Sequence, residues 1–210
     1  MEIAEQIERL KNKLLQPLPG IGAQEKMAAR VFPMPIEIPV DAKTSAVLCL
    51  LFPMNDELYV LLMKRMADNT AHSGQVSFPG GRYEPTDANI KATALREANE
   101  EVGIAIADIE ILGALTPLYI PVSKFNVHPF VGYTKNRPTY QLSKDEVAYI
   151  LELPLSQLFH ESGKTKADVS SPVVPDVIRQ VPAYVLEDGT IIWGATAMIL
   201  SELEVLLENS

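Results

Sequence analysis

Residues 96–103 read REANEEVG and follow, at about one helix-length, a glycine pair at Gly80 and Gly81. On a helix, Glu97 and Glu101 stand at i and i+4 on one face, with Glu100 beside them. Like charges at that spacing cost an isolated helix roughly 0.2–0.5 kcal/mol per pair, so the stripe asks for a compensating cation. Its donors are all oxygen, which suits a hard divalent ion such as Mg²⁺. Arg96 can fix a carboxylate in one rotamer with its guanidinium fork, and Glu100 is within reach at i+4. A glycine lets backbone approach an ion closely, so the Gly80 carbonyl is a candidate further ligand. Together these groups suit a metal-polarised water attacking phosphorus, with charge on the departing phosphate offset by the metal. Acidic triplets also occur on plain solvated helix faces. Here the triplet arrives with a glycine turn before it, an apolar opposite side (Ala94, Ala98, Val102) and a glycine stop at Gly103.

The elements that must position these groups follow from periodicity. Residues 45–53 and 57–65 read as two strands of a hairpin turning at Met54–Asp56. Residues 66–81 read as a long loop with a short strand around Gln75–Phe78. The acidic helix is expected from Thr86 or Asp87, either of which can cap it, to Val102. Its small residues Ala94 and Ala98 would let it sit close against a sheet. Further strands are expected near 109–117, 126–134, 146–153 and 183–186, with a last helix from Thr196 to Leu207. Ile3, Ile7, Leu10 and Leu14 recur at helical spacing in residues 2–15, an amphipathic helix for packing on the domain or on a second subunit. Residues 16–44 are rich in proline and read as an extended, irregular arm. The division expected is an N-terminal helix and arm over 1–44 and one domain over 45–210.

Composition narrows the function classes. With 47% apolar residues the chain can bury a core, so disorder is not the expectation. A net charge of −9 argues against nucleic acid as partner. No apolar run approaches the roughly 20 residues of a membrane span, and the charged N-terminus lacks the apolar stretch of a signal peptide. The single cysteine, Cys49, lies in the apolar run AVLCLLF and reads as a core residue, consistent with a cytoplasmic location.

The stretch GGRYEPTDANIKATALREANEEVG resembles the Nudix box, GX5EX7REUXEEXGU with U aliphatic, over Gly81–Ile104. Asp87 stands where the box has its first glutamate, the spacer from Asp87 to Arg96 is eight residues instead of seven, and Ala98 occupies a U position. Arg96, Glu97, Glu100 and Glu101 match. The resemblance implies an α+β Nudix fold, an α/β/α sandwich with a central mixed sheet. It also implies hydrolysis of a nucleoside diphosphate linked to another moiety with Mg²⁺ or Mn²⁺. Glu97 and Glu101 would be the principal metal ligands, Glu100 would assist, Gly80 would lend its carbonyl and Arg96 would orient the glutamates.

Substrate must be read elsewhere. LLMKRMADNTAHSGQVSFPGG (61–81) is similar to the motif preceding the box in coenzyme A diphosphatases, LLTXRSXXLRXHXGXVXFPGG. Leu61, Leu62, Arg65, His72, Gly74, Val76, Phe78 and Pro79 match, while Asn69 and Thr70 replace the usual Leu and Arg. PVSKFNVHPFVG (121–132), DEVAYILELPLSQL (145–158) and WGATAMIL (193–200) also resemble that family, with Met198 in place of an arginine. Together the resemblance runs over about residues 45–207. It implies coenzyme A or acyl-CoA as substrate. The alternatives are another nucleotide, such as ADP-ribose, a dinucleotide or a nucleoside triphosphate, and a non-catalytic binding module, which would usually lose the glutamates kept here. Lys64, Arg65 and Arg82 are candidate phosphate contacts or surface ion pairs. His72 either donates to a phosphate or holds its loop. Ser77 and Phe78 are further substrate candidates, with Phe78 read first as core or wall. Tyr119 and Phe125 are candidates to flank the adenine or pantetheine. Glu146 is either a metal ligand or general base, or a plain charge at a strand edge. A homodimer through the N-terminal helix is open.

Overall fold

The computed structural model describes residues 2–29, 37–67, 74–171 and 174–208. Its central element is a hairpin. Strand β1 (Lys43–Met54) turns through Asn55 and Asp56, both at positive φ (52° and 62°), into β2 (Glu57–Arg65). Two central residues in that conformation match the right-handed twist of the flanking strands, which is why Asn and Asp occupy them. Along β1 successive side chains alternate between two cores. Ala46, Leu48 and Leu50 enter one cluster, and Cys49 and Leu51 the other. A strand buried on both faces has to be apolar throughout, as CLLF is.

Around the hairpin lies an eight-stranded mixed sheet. β3 (Val76–Ser77) and β8 (Val147–Pro154) pair with β2, and β4 (Gly80–Arg82) pairs with β1. β7 (Phe125–Tyr133) runs parallel to β1, and β5 (Glu110–Ala114) and β6 (Leu118–Ile120) pair with β7. A separate antiparallel sheet holds β9 (Lys164–Ser171), β10 (Val174–Val185) and β11 (Ile191–Trp193).

Helices cover both faces of the large sheet. Before the box helix come α1 (Ile3–Leu14) and the short α2 (Ile21–Gln24). The acidic helix, α3 (Ile90–Val102), lays Ala94, Ala98 and Val102, all 0% exposed, on the Ala46–Leu48–Leu50 face. Small side chains there allow the close approach expected of them. On the opposite face Ile7, Leu10 and Leu14 of α1 join Leu200, Leu203 and Leu206 in the other cluster. These last belong to the C-terminal helix (Gly194–Glu208), α5, which follows α4 (Leu155–Leu158). The result is the expected α+β sandwich about a mixed sheet. Among the described residues no helix is long and apolar enough to cross a membrane.

Some expectations are corrected. The acidic helix starts at Ile90, three or four residues later than expected, because Asn89 rather than Thr86 or Asp87 is its cap. The Asn89 side chain accepts from the Ala92 N–H at 3.0 Å. Its stop is as expected, with Gly103 at φ 74°. The arm over 16–44 is not wholly irregular, since it contains α2 and a turn of 3₁₀ helix at Glu25–Met27. The second sheet extends well beyond the single strand expected near 183–186.

Candidate active site

The two box glycines differ in what they make possible. A Cβ at Gly80, whose φ is 156°, would lie 2.3 Å from the Ala46 carbonyl oxygen. A Cβ at Gly81 would lie 2.5 Å from the Glu97 carboxyl group. The first glycine lets β4 press on β1, and the second leaves room for a carboxylate directly over the strand. Glu101 joins it, since its Oε2 accepts the Gly80 N–H at 2.8 Å and its Oε1 lies 3.3 Å from Arg65 Nη1. A third acid, Glu146, enters on a loop that is tied to the helix end. The Ser143 N–H donates to the Glu101 carbonyl and the Gln141 N–H to that of Val102, at 2.8 and 2.9 Å.

The electrostatics follow from this crowding. Burial pushes the Glu101 carboxyl up to about 8, and Glu97 and Glu146 push the same way, against the Gly80 N–H and Arg65. Burial also raises Glu97, opposed by Arg96 and reinforced by Glu100 and Glu146. Two carboxylates held partly out of water, each repelled by a third, are the complement of a cation.

Arg96 organises the outer side. Its Nε and Nη2 donate to the two oxygens of Asp87 at 2.8 and 3.1 Å, and Nη1 donates to Glu97 and Glu100 at 3.0 and 2.9 Å. Asp87 also accepts from the Glu84 N–H and the Thr93 hydroxyl. Hydrogen bonding from Arg96 holds the Asp87 carboxyl well below the ordinary aspartate range, and the same contact raises the guanidinium. Asp87 was legible only as a departure from a motif or as a cap. It is the anchor of Arg96, and the Asp-for-Glu change and the extra spacer residue leave that bidentate pair intact.

The predicted residues separate into groups. Glu97, Glu101, Arg96, Gly80 and Arg65 come together. Glu100 joins through Arg96 but is mostly exposed, and Glu146 acts on Glu97 and Glu101 through charge. Ser77 faces the same side of the sheet as Met63, and its hydroxyl is buried without a hydrogen-bond partner. Lys64, paired with Val76, alternates to the other face. Phe78 is corrected. It is 2% exposed within the α1/α5 core and offers the substrate no stacking surface. Arg82 is exposed, and its carbonyl accepts from Arg96 at 3.1 Å. Tyr119 is cross-strand from Asn126, and Phe125 lies beneath Lys43. His72 and Thr70 lie outside the described residues.

Residues 42–173 match the NUDIX domain family. The chain belongs to the Nudix family. It is 36% identical over 152 residues to a protein of Pectobacterium atrosepticum described as "Uncharacterized Nudix hydrolase NudL", covering 71% of this chain and 76% of that one. An Escherichia coli protein of the same description is 37% identical over 144 residues, covering 69% and 72%. Two crystal structures share the fold at low identity. The Mycobacterium Nudix hydrolase RenU (M. smegmatis) has a TM-score of 0.51 at 14% identity, covering 80% of this chain and 87% of that one. A MutT/nudix family protein from Enterococcus faecalis has a TM-score of 0.51 at 16% identity, covering 99% and 75%. The protein is therefore a Nudix hydrolase, of a family acting on phosphoanhydride bonds.

Nudix hydrolases generally use divalent metal ions, and the residues present fit one. Among the described residues no three acidic, histidine or cysteine side chains close on one point. Glu97 and Glu101 instead turn oxygens toward Arg96, Arg65 and the Gly80 N–H. The donor set is nonetheless all hard oxygen, closely packed and mutually repelling, which is what a divalent ion with oxygen ligands requires.

Proposed function

We propose that this Nudix hydrolase cleaves the diphosphate bridge of coenzyme A or an acyl-CoA. The products would be adenosine 3′,5′-bisphosphate and 4′-phosphopantetheine, and the cofactor Mg²⁺ or Mn²⁺. The observation that carries the chemistry is the Glu97 carboxyl lying where any side chain at position 81 would stand, with Glu101 bound to Gly80 beside it. In this reading Glu97 and Glu101 hold the metal, Glu100 assists and the Gly80 carbonyl completes the set. When bound, the ion polarises the attacking water and offsets charge on the departing phosphate. Arg96, fixed by Asp87, keeps Glu97 and Glu100 in rotamer. Glu146, on a loop tied to the Glu101 backbone, stands ready to ligate or to take the water's proton. Arg65 is close enough to Glu101 to share its charge with a substrate phosphate, and Ser77 and His72 are further candidates for the same substrate, whereas Lys64 points to the other face of the sheet.

The coenzyme A assignment is supported by the motif over 61–81, whose arginine, Arg65, stands against the carboxylates. A second reading, another nucleotide diphosphate as substrate, is favoured by Met198. This residue replaces an arginine and lies 9% exposed in the apolar core, so no charge is supplied from there.

The test is product analysis with Mg²⁺ or Mn²⁺ against coenzyme A, ADP-ribose and dinucleotides. Metal-dependent release of 4′-phosphopantetheine, fastest from coenzyme A, is the expected result. Turnover of another compound without coenzyme A hydrolysis selects the second reading.

A further inference from the structure

The chain from β7 to β8 (residues 134–146) crosses the C-terminal end of α3, and Glu146 is its last residue. It presses on the glycine stop, where a Cβ at Gly103 would lie 2.6 Å from the Gln141 carbonyl oxygen. The Gln141 and Ser143 N–H groups fill the Val102 and Glu101 carbonyls, two of those a helix end leaves open. Glu146 is held from the strand side as well. Its carbonyl accepts the Met66 N–H at 2.8 Å, and its N–H donates to the Ser143 carbonyl at 3.2 Å. Met66 follows Arg65, whose Nη1 lies 3.3 Å from Glu101. A bulge at Ala148, between the Lys64–Tyr149 and Arg65–Val147 partners, bends β8 just after Glu146.

The other half of the loop is clasped by one acid. Arg137 Nε and Nη2 donate to the two oxygens of Glu152 at 2.9 and 2.6 Å, and the Tyr140 hydroxyl donates to Glu152 Oε1 at 2.9 Å. Glu152 lies on β8 cross-strand from Leu61, and so on the face that carries α3. Tyr140 and Leu142 pack against the core cluster of that face. Among the described residues, the other hydrogen bonds of 135–142 are that of Gln141 and one from the Thr134 hydroxyl to the Asn136 carbonyl at 2.9 Å. The loop therefore closes on the strand it leads into, with Glu152 gripping its first half and Glu146 ending its second. The Glu152 side chain is 13% exposed and that of Arg137 57%. An ion pair so open to solvent adds little to stability. What a fork on both carboxylate oxygens fixes is geometry, here the path of the loop that ends at Glu146.

We propose that Glu152, through Arg137 and Tyr140, is a positioning residue for the hydrolysis. It holds the 134–146 loop against the end of α3 and so sets the place of Glu146 beside Glu97 and Glu101. This rests on the reading of Glu146 as metal ligand or general base, and is independent of which diphosphate is the substrate. Glu152 acts through Glu146 and not on the substrate. Misplacing a reacting group by about 1 Å can cost about 100-fold in rate, so a loosened loop is felt in turnover.

The experiment is a double-mutant cycle. It measures kcat and KM with Mg²⁺ on whichever of coenzyme A, ADP-ribose and dinucleotides the wild type turns over fastest, well below each variant's melting transition. Glu146→Gln should itself lower kcat by about 100-fold. Glu152→Ala should lower kcat by about tenfold and leave KM within about twofold. Glu152→Gln, which still accepts from Tyr140 but loses the ion pair, should recover part of that loss. In the Glu146→Gln background, Glu152→Ala should cost less than about twofold more, because the group it positions is already gone. Tyr140→Phe in the same cycle carries the test where Glu152→Ala fails to fold. A lowered melting temperature with kcat unchanged would overturn the proposal, leaving the clasp a purely structural contact. Equal losses in the two backgrounds would also overturn it, since the effect would not pass through Glu146. Wild-type kcat in Glu146→Gln would overturn the reading of Glu146, and the proposal with it.

Discussion

Glu101 and Glu202 are both buried carboxylates, 2% and 0% exposed, and the chain treats them in opposite ways. Glu202, on α5, accepts from the Gly20 N–H at 3.0 Å, Gln24 Nε2 at 2.9 Å, the Thr116 N–H at 3.2 Å and the Thr116 hydroxyl at 2.6 Å. Among the described residues no cation lies within ion-pair distance of it. Donors fixed by the backbone of two other segments satisfy it, and it draws the N-terminal arm, the residue-116 turn and the last helix together. Glu101 has one backbone donor and one arginine, and it faces Glu97 and Glu146. The first carboxylate is complete as it stands. The second has one arginine against two neighbouring acids, an imbalance that a divalent cation would offset. Burial of an acid therefore says little about its role, and the distinction lies in whether its oxygens are filled by donors or crowded by other acids.

The sharpest way to break this comparison is to neutralise each acid in turn. If Glu97 and Glu101 hold the metal as proposed, Glu97→Gln and Glu101→Gln should each lower kcat by over about 100-fold, with the folded state intact by circular dichroism. Glu101→Gln should melt at or above the wild-type temperature in metal-free buffer at pH 8, because the amide oxygen still accepts from Gly80 and the repulsion is gone. A large fall in its melting temperature would mean that Glu101 is structural like Glu202. Glu202→Ala should do the reverse. It leaves buried donors unpaired, at a cost of about 3 kcal/mol, or roughly 6–12 °C in melting temperature. Its kcat measured well below that transition should stay within about twofold of wild type. A collapse of kcat at full folding would make the two acids alike.

What the sequence made visible divides along the same line. The crowded site was legible because its signal is local, with four charged residues at helical spacing, two glycines and a glycine stop, all within 24 residues (80–103) of chain. The hairpin was legible for the same reason, its turn residues lying between two apolar runs. Glu202 was not legible. It sits in LSELEVLL, where an acid between leucines reads as a solvent-facing position, and its partners lie 86, 178 and 182 residues away. Asn89 lost the role of cap to Thr86 and Asp87 in the sequence reading because Asp87's engagement with Arg96, nine residues on, is a tertiary contact. The second sheet was largely missed. KTKADVSS has too few apolar residues to announce β9, and Pro175 and Pro182 interrupt the pattern of β10.

A smaller effect sharpens the comparison from the ligand side. Divalent cation at about 100 times its dissociation constant should stabilise the protein by about 2.7 kcal/mol. Glu202→Ala should keep that increment and Glu97→Gln should lose most of it, read as the rise in melting temperature between chelator and metal. An undiminished increment in Glu97→Gln would place the bound ion elsewhere.

The smallest expected effect concerns Asp87, which belongs to neither extreme. It is buried like Glu202 and saturated with donors, but one of those donors is the arginine that steadies the crowded acids. Its carboxyl is depressed in the folded protein, chiefly by the hydrogen bonds from Arg96. An acid whose folded value lies below its unfolded value contributes stability above the unfolded value, about 3.8. It loses that contribution as the pH falls toward the folded one. Between pH 7 and pH 5 the contribution is therefore constant, and it declines only below about pH 4. Asp87→Asn should lower the melting temperature by a few degrees at neutral pH and by progressively less as the solution is acidified below that point. The two melting curves should approach one another there. At neutral pH the variant should also show a modest fall in kcat, about threefold to tenfold, because Arg96 is still held by the Arg82 carbonyl and by Glu97 and Glu100 but loses its bidentate anchor. A constant difference in melting temperature at every pH would show that Asp87 acts through packing and not through its charge. An unchanged kcat would show that Glu97 and Glu100 fix the arginine without it.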